Sequence, residues 1–288
     1  MKEESGIKIS VAIATYNGEK FIEEQLYSIL NQTQPPDEII ISDDGSTDST
    51  REIAEKVLSG GGIKFRVIRN TGKRGVNGNF ENAIKNCTGD LIFLSDQDDV
   101  WEKERIETAL KMLSSEENDR KSFFFSDAVI TDENLSPTGR TIWGINGFDE
   151  KERKKFRESP EYQFFALVKR NFIPGMTMAF WRESAGIFLP FPDEWHHDHW
   201  MAVILSAIGY KGLFSEKPLV LYRQHSQQAT GVRRVVRLPH RAFARKCRQM
   251  LVLFRRLMKL EREGIPLIFS DPLYLVFLKS CLLRLSNI

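Results

Sequence analysis

Cysteine is scarce in this chain: three in 288 residues, Cys87, Cys247 and Cys281, with no C-x-x-C pair. That scarcity excludes a disulfide framework or a cysteine-ligated zinc site as the organising device, and a reducing cytoplasm is the expected setting. Met1 to Ser10 carries acidic residues and no apolar core, so no secretory leader is expected. No segment reaches the roughly 18 consecutive apolar residues of a membrane-spanning helix. The C-terminal run Leu273 to Leu278 stops at Lys279. Two phosphate-binding loops are missing as well. The first β-like run is followed by Thr15-Tyr16-Asn17-Gly18, not by G-x-G-x-x-G, which argues against a Rossmann dehydrogenase. Gly72-x-x-Gly75-x-x-Gly78 lacks the Gly-Lys-Ser/Thr ending of a P-loop and reads as a flexible connection.

Apolar content of 41% and charged content of 28% are those of an ordinary globular chain. The length allows one α/β domain with a C-terminal extension. Net charge is only +2, but its distribution is uneven. Arg233, Arg234, Arg237, Arg241, Arg245, Lys246, Arg248, Arg255, Arg256, Lys259 and Arg262 crowd one stretch with few carboxylates. Within it Phe243, Cys247, Met250, Phe254, Leu257 and Leu260 recur at helical spacing, which predicts a basic amphipathic helix.

Through the first 130 residues β-like runs alternate with helical patterns. Ile7–Ala14, Glu38–Ser42, Lys64–Arg69, Leu91–Ser95 and Ser122–Ser126 read as strands. Phe21, Ile22, Leu26, Ile29 and Leu30 mark one helical face, and Ile106, Ala109, Leu110 and Leu113 another. Ser49-x-x-Glu52 has the form of a capping box. Such alternation predicts an α/β fold with a mostly parallel central sheet flanked by helices. From Asp127 to about Glu161 the pattern dissolves, and a long irregular segment is expected. Met176–Trp181 and Pro218–Tyr222 then read as strands, and Asp198–Ile208 as a helix.

Ligands of open α/β sheets bind beyond the carboxyl ends of the strands, so polar residues placed there carry most of the functional information. Strand one ends in Thr15-Tyr16-Asn17-Gly18, strand two in Asp43-Asp44-Gly45-Ser46, and strand four in Asp96-Gln97-Asp98-Asp99. Three carboxylates at one strand end repel one another unless a cation or solvent relieves them. Oxygen ligands of this kind suit Mg2+ or Mn2+, which complete their shells with substrate phosphates and water. His196, His197 and His199 stand too close together at a helix start to converge on one zinc ion.

The series Val11-Ala12-Ile13-Ala14-Thr15-Tyr16-Asn17-Gly18, Gln25-x-x-Ser28-Ile29-x-x-Gln32-Thr33, Asp43-Asp44-Gly45-Ser46-Thr47-Asp48 and Asp96-Gln97-Asp98-Asp99 resembles glycosyltransferase family 2, over roughly residues 7 to 225. The resemblance implies a GT-A fold: a domain over 1–231, with a nucleotide-sugar-binding half over 1–127 and an acceptor half over 128–231, followed by a helical extension over 232–288. It implies that Tyr16 and Asp44 flank the nucleobase with Thr15 and Asn17 nearby, that Asp96 and Asp98 form the D-x-D holding ribose and metal, and that Asp99 shares that task. It also implies a catalytic base at the start of an acceptor-side helix. Here that element is His197-Asp198-His199-Trp200, so Asp198 is the candidate base, with His197, His199 and Trp200 beside the acceptor. Where the family usually has an acid before this Asp, the chain has His197. Tyr222-Arg223-Gln224-His225 is similar to segments that close the donor site, which makes His225 a candidate metal ligand and Arg223 a candidate partner of the diphosphate.

The expectation is an inverting glycosyltransferase that moves a sugar from a dTDP- or UDP-linked donor, rhamnose first among them, to a glycan or lipid-linked acceptor of polysaccharide or O-antigen synthesis. A nucleotidyltransferase making nucleotide-sugars is the enzymatic alternative, although the Gly- and Lys-rich triphosphate loop it needs is not found. A non-enzymatic membrane- or nucleic-acid-binding module would leave the acidic strand ends unexplained, because without metal they repel phosphate. No nucleic acid partner is expected, and the sequence leaves the oligomeric state open. The basic helix is expected either to pack on the domain or to draw the protein to the anionic inner face of the cytoplasmic membrane.

Overall fold

A computed structural model describes residues 6–114, 120–228 and 239–268, with the side chains of 239–244 outside that description. Arg233, Arg234, Arg237, the Arg241 and Phe243 side chains, Cys281 and the run from Leu273 therefore fall outside it. β1 (Ile9–Thr15), β2 (Glu38–Asp43), β3 (Lys64–Arg69) and β4 (Leu91–Asp96) pair in parallel, in the spatial order β3-β2-β1-β4. The crossovers run through α1 (Ile22–Leu30), α2 (Thr50–Ser59) and α3 (Val76–Asn86). β1, β2 and most of β4 are buried on both faces, so they read as continuous runs of Ile, Val, Leu and Phe instead of alternating patterns. β3 is the edge strand, and Lys64, Arg66 and Arg69 on it are exposed to solvent.

Beyond β4 the sheet becomes mixed. β5 (Val100–Trp101) leads into α4 (Arg105–Ser114), and β6 (Ser122–Thr131) turns back through β7 (Pro137–Thr141). After α5 (Ile142–Asn146), α6 (Glu150–Glu158) and α7 (Pro160–Lys169) comes β8 (Ala179–Trp181), which lies antiparallel between β4 and β6. α8 (Ala185–Phe188) and α9 (His197–Ala207) precede β9 (Lys211–Arg223), which is parallel to β6 and antiparallel to β5. The parallel part is thus the part that βαβ alternation dictates.

Several expectations are corrected here. The segment from Asp127 to Glu161 is not irregular: it contains the end of β6, β7, α5, α6 and the start of α7. Its helices are short, and α6 is almost wholly polar, so no long apolar period announces them. Their starts carry conventional caps, with Thr141, Asp149 and Ser159 side chains accepting from Gly144, Glu152 and Tyr162 amides. Asp127, taken as the last residue of the first half, sits within β6, where its carboxylate accepts from the Trp143 amide at 3.0 Å. The Ser49 capping box does not form, since that side chain makes no cap bond. Asp48 takes its place, its carboxylate accepting from the Thr50 amide at 3.1 Å and the Glu19 amide at 3.1 Å. Met176 belongs to a 3-10 turn, Gly175–Thr177, and not to the strand that follows.

α10 (Pro239–Arg262) is not a free extension. Met250, Leu253, Leu257 and Leu260 are buried in the same core as the sheet, and Phe254 packs against it. Trp195 Nε1 donates to the Gln249 carbonyl at 3.0 Å, Gln249 Nε2 to the Glu194 carbonyl at 2.8 Å, and Lys246 Nζ to the Val168 carbonyl at 2.9 Å. The apolar stripe predicted for this helix is therefore spent on the domain. Leu257→Ala should lower unfolding stability by about 2–5 kcal/mol, as for a large-to-small change in a core. Chemical denaturation would check this, with one cooperative transition expected and a separately melting helix the contrary result.

Candidate active site

The ends of β1, β2 and β4 meet at one edge of the sheet, and side chains stitch their loops together. Gln97, between Asp96 and Asp98, bridges to strand one in both directions: its Oε1 accepts from the Tyr16 amide at 2.9 Å and its Nε2 donates to the Tyr16 carbonyl at 3.0 Å. A Cβ at Gly18 would run into the Gln97 side chain, so a residue without one is needed there. Tyr16 itself is left 56% exposed, its ring available to a flat ligand. Asn17 adopts φ +47° and links the first two loops, its Oδ1 accepting from the Thr47 amide at 2.9 Å while its own amide donates to Ser46 Oγ at 2.9 Å.

The two acids of the second loop divide their work. Asp43 is buried and shapes the turn, accepting from the Gly45 and Ser46 amides at 3.2 and 3.0 Å and from Thr15 Oγ1 at 3.1 Å. Thr15 is likewise 1% exposed, so its side chain holds strand two and does not face a donor, contrary to expectation. Asp44 lies in the cleft, where Asn70 Nδ2 and the Gly75 amide each donate to it at 2.8 Å. The glycine-spaced connection is therefore a collar around Asp44. Gly75 has φ +88°, and a Cβ at Gly78 would collide with the Lys73 carbonyl, which explains both glycines without a phosphate.

At the end of β4 the carboxylates crowd as expected. Burial, followed by the charges of Asp98 and Asp198, pushes Asp96 up to about 8. Burial, followed by Asp98 and Asp96, raises Asp99 well above the usual carboxylate range. Beneath them lies a cation that the sequence reading missed. Arg105 is fully buried in the first turn of α4, its guanidinium 3.8 Å from the Trp101 ring centroid. Burial lowers it to about 9, while Asp99 and Asp96 oppose that drop. Nothing in the local sequence sets Arg105 apart from a surface cation at a helix start.

β9 delivers the last residues of the site. The Arg223 amide donates to Asp99 Oδ1 at 3.2 Å and Arg223 Nε to the Asp98 carbonyl at 2.8 Å. Its remaining nitrogens donate to the Glu133 carbonyl at 2.6 Å and to Glu24 Oε2 at 2.5 Å. The guanidinium predicted to meet the diphosphate is thus engaged with the protein and only 3% of the residue is exposed. His225 Nε2 lies 2.8 Å from Asp98 Oδ2, and its ring packs 4.4 Å from that of Phe21. Among the described residues no set of three or more His, Cys, Asp or Glu is arranged as a ready cation cage. The donor types nevertheless fit Mg2+ or Mn2+: Asp98 and His225 are already paired, and the carboxylate repulsion that adds to burial in raising Asp96 is what a divalent ion relieves. Asp99 fits less well as a ligand, because it is wholly buried with Oδ1 on the Arg223 amide and Oδ2 without a hydrogen-bond partner.

At the start of α9, Asp198 is half-buried in the first turn. Its Oδ2 accepts from the Gly175 amide at 3.1 Å, and its Oδ1 from Asn171 Nδ2 at 3.3 Å and the His199 amide at 2.6 Å. Asn171 and Gly175 were not foreseen, since nothing in their local pattern points to Asp198. The neighbouring residues turn away. His197 stacks on Phe80 at 4.3 Å and is held down to about 4 by burial. His199 Nε2 lies 2.6 Å from the Leu167 carbonyl and is lowered to about 4, again mainly by burial. Trp200 Nε1 donates to the Phe188 carbonyl at 2.8 Å. All three are core residues, which corrects their assignment to the acceptor. α9 is buried nearly all round, so adjacent side chains leave in different directions and all meet protein.

Comparison with known proteins agrees with this geometry. Residues 10–174 match the model of glycosyl transferase family 2. The dTDP-rhamnosyl transferase RfbG of Shigella flexneri is 31% identical over 231 residues, 76% of this chain and 73% of that protein. A β-1,3-glucosyltransferase of Campylobacter jejuni that acts on GalNAc(5)-diNAcBac-PP-undecaprenol is 30% identical over 171 residues, 58% of this chain and 53% of that protein. Among solved structures, Staphylococcus aureus TarS 1-349 in complex with UDP-GlcNAc superposes with a TM-score of 0.59 at 20% identity, over 85% of this chain and 67% of that one. The mannosyltransferase PcManGT from Pyrobaculum calidifontis, in complex with GDP-Man and Mn2+, gives 0.56 at 18% identity over 96% of this chain and 69% of that one. The chain therefore belongs to glycosyl transferase family 2 and has the GT-A fold.

Proposed function

We propose that the protein transfers a sugar, with rhamnose from dTDP-rhamnose as the first donor to test, to a hydroxyl of a glycan or lipid-linked acceptor with inversion at the anomeric carbon. The observation that supports this reading is the meeting of the β1, β2 and β4 ends, where Tyr16 is 56% exposed, Asp44 is held by Asn70 and the Gly75 amide, and Asp98 is paired with His225. Donor choice rests on the rhamnosyl transferase relative. Acceptor class rests on relatives whose names include diphosphoundecaprenol.

Each residue has a defined task in this reading. Tyr16 stacks on the base, and Asp44, fixed by Asn70 and Gly75, accepts from a base N–H. Asp96 receives the ribose, and Asp98 with His225 holds Mg2+ or Mn2+. The ion, when bound, neutralises the charge of the departing diphosphate. Asp198 takes the proton of the acceptor hydroxyl as that oxygen attacks the anomeric carbon. Three N–H donors orient it and leave it able to accept. Thr15, Asn17, Asp99 and Arg223 act through the loops they hold.

Asp198→Asn should retain donor binding and the fold while losing about 10²–10⁴-fold in kcat, the usual worth of a general base. Transfer to a soluble acceptor analogue, alongside nucleotide binding by calorimetry, measures both. Near-normal kcat would remove Asp198 from its role, and release of pyrophosphate in place of nucleoside diphosphate would overturn glycosyl transfer itself.

Cation binding should be pH-dependent. A carboxyl whose folded value is raised binds a proton that a metal must displace, so Mn2+ affinity should increase as pH rises toward about 8. The same linkage has a sign for stability. Between the unfolded and folded values the native state holds more protons, so in chelator stability falls as pH rises toward about 8, and Asp96→Asn should flatten that fall. Thermal melts across pH with and without Mn2+ would show this. Asp98→Ala should abolish the Mn2+ effect, and full turnover in excess chelator would refute the metal requirement.

We also place the protein at an anionic membrane face through charge alone. Among the described residues no helix is long and apolar enough to cross a membrane. Arg248, Leu251, Arg255, Lys259 and Arg262 are exposed on the side of α10 opposite its buried leucines. Basic residues near an anionic surface contribute roughly 1 kcal/mol each, and salt screens them. Co-sedimentation with anionic vesicles should fall at high salt and in R248Q/R255Q/K259Q, with transfer to a soluble acceptor unchanged. Equal binding to neutral vesicles, or none to either kind, would remove the membrane from the account.

A further inference from the structure

The segment that carries His225 lies beyond the end of β9 and would be loose without a seat. The residues that seat it are on α1 and the turn before it, which the reaction as described does not use. Glu24 is in the first turn of α1, and its carboxylate accepts from an Arg223 terminal nitrogen at 2.5 Å. The Arg223 guanidinium lies 4.8 Å from the centre of the Phe21 ring, and the His225 ring packs on the same Phe21 at 4.4 Å. Lys20 pairs with Glu133, whose carbonyl accepts from Arg223. Gln228 closes the segment on itself, donating to the Arg223 carbonyl while its Oε1 accepts from the His225 amide at 3.4 Å. One turn of helix thus grips the chain at Arg223 and, two residues on, at His225.

The grip is asymmetric in charge. Arg223 is almost wholly buried, with two of its side-chain bonds to neutral carbonyls, and Glu24 is the only carboxylate paired with its guanidinium in the described structure. Glu24 is itself 55% exposed, so solvent screens its half of the pair, but removing it leaves the buried Arg223 charge without a carboxylate partner. Arg223 would then move toward solvent or toward the nearest acids, Asp98 and Asp99. Either movement alters the acidic turn, because the Arg223 Nε that would be withdrawn is the group that holds the Asp98 carbonyl, while the Arg223 backbone amide stays on the Asp99 carboxylate.

We propose that Glu24 is a positioning residue for the cation site, acting through Arg223 to set the Asp98–His225 pair without touching donor, acceptor or metal. This rests on the reading that Asp98 and His225 hold the ion. Its consequence is that cation affinity depends on a residue of α1, about 200 positions earlier in the chain than His225 and outside the D-x-D pattern.

The test is Mn2+ binding in the presence of dTDP, followed by electron paramagnetic resonance of the free ion, on the full chain. Glu24→Ala should weaken Mn2+ binding at least about fivefold, and Glu24→Asp should recover part of the loss because it can still pair with Arg223. Glu24→Ala combined with Arg223→Met should cost less than the sum of the two single changes, since both act through one contact. Thermal melts identify any variant that fails to fold, and Glu24→Gln, which keeps the side chain's size and an acceptor, stands in for alanine there. His225→Ala serves as the control. If His225→Ala weakens Mn2+ binding while neither folded Glu24 variant changes it by more than twofold, the positioning role is overturned and the metal reading stands. If His225→Ala and Asp98→Ala both leave Mn2+ binding unchanged, the metal reading itself fails and takes this proposal with it. Additive effects in the double variant would likewise overturn the shared contact.

Discussion

Negative charge gathered at the end of β4 is the constraint around which the rest of the site is arranged. Asp96, Asp98 and Asp99 follow a strand buried on both faces, so their carboxylates leave a dry sheet at a place where ionisation is costly. Taking a carboxylate out of water carries an effective penalty of several kcal/mol. The fold offsets this with cations placed below and behind. Arg105 lies under the turn, stacked on Trp101, and Arg223 binds its backbone and the Asp99 carboxylate. Neither forms a side-chain salt bridge to the three acids, so the Asp96 and Asp98 carboxylates are not neutralised by an arginine.

That arrangement explains the division of labour among neighbouring polar residues. In each strand-end loop one residue is buried to hold the loop and another is presented to the cleft: Asp43 behind Asp44, Thr15 behind Tyr16, Asp99 behind Asp98. A loop whose polar groups all faced solvent would leave its backbone amides unsatisfied near the core, and the buried member of each pair prevents that. The start of α9 follows the same rule. Asp198 is partly open, while His197, His199 and Trp200 around it secure α9 to α3, α7 and α8.

α10 extends this economy to the far side of the domain. Its buried leucines and the Trp195, Glu194 and Gln249 bonds join it to the loop that leads into Asp198. The helix therefore holds the segment before α9 while presenting basic residues outward. A sequence window cannot separate those two uses, because one amphipathic period serves both packing on a domain and lying on a membrane.

What the sequence determined by itself was whatever local pattern and strand order dictate. The runs Ile39–Ile41 and Leu91–Leu94, with Gly- and Asp-rich ends, specified buried parallel strands, and the acids after them marked the face where ligands bind. Asp44, Asp96, Asp98, Asp198 and His225 could be nominated as candidates from the sequence because each sits at a fixed distance from a readable strand or helix start. The short polar helices after β6 were not, because they owe their existence to side-chain caps and tertiary contact and not to an apolar period. Direction was equally hidden. Adjacent residues of α9 point different ways, and only packing against Phe80, Leu167 and Phe188 decided that His197, His199 and Trp200 face inward. The same holds for Arg105, Glu24 and Arg223, whose roles arise from partners distant in sequence: a lone charged side chain has no readable function until the fold supplies the group it meets.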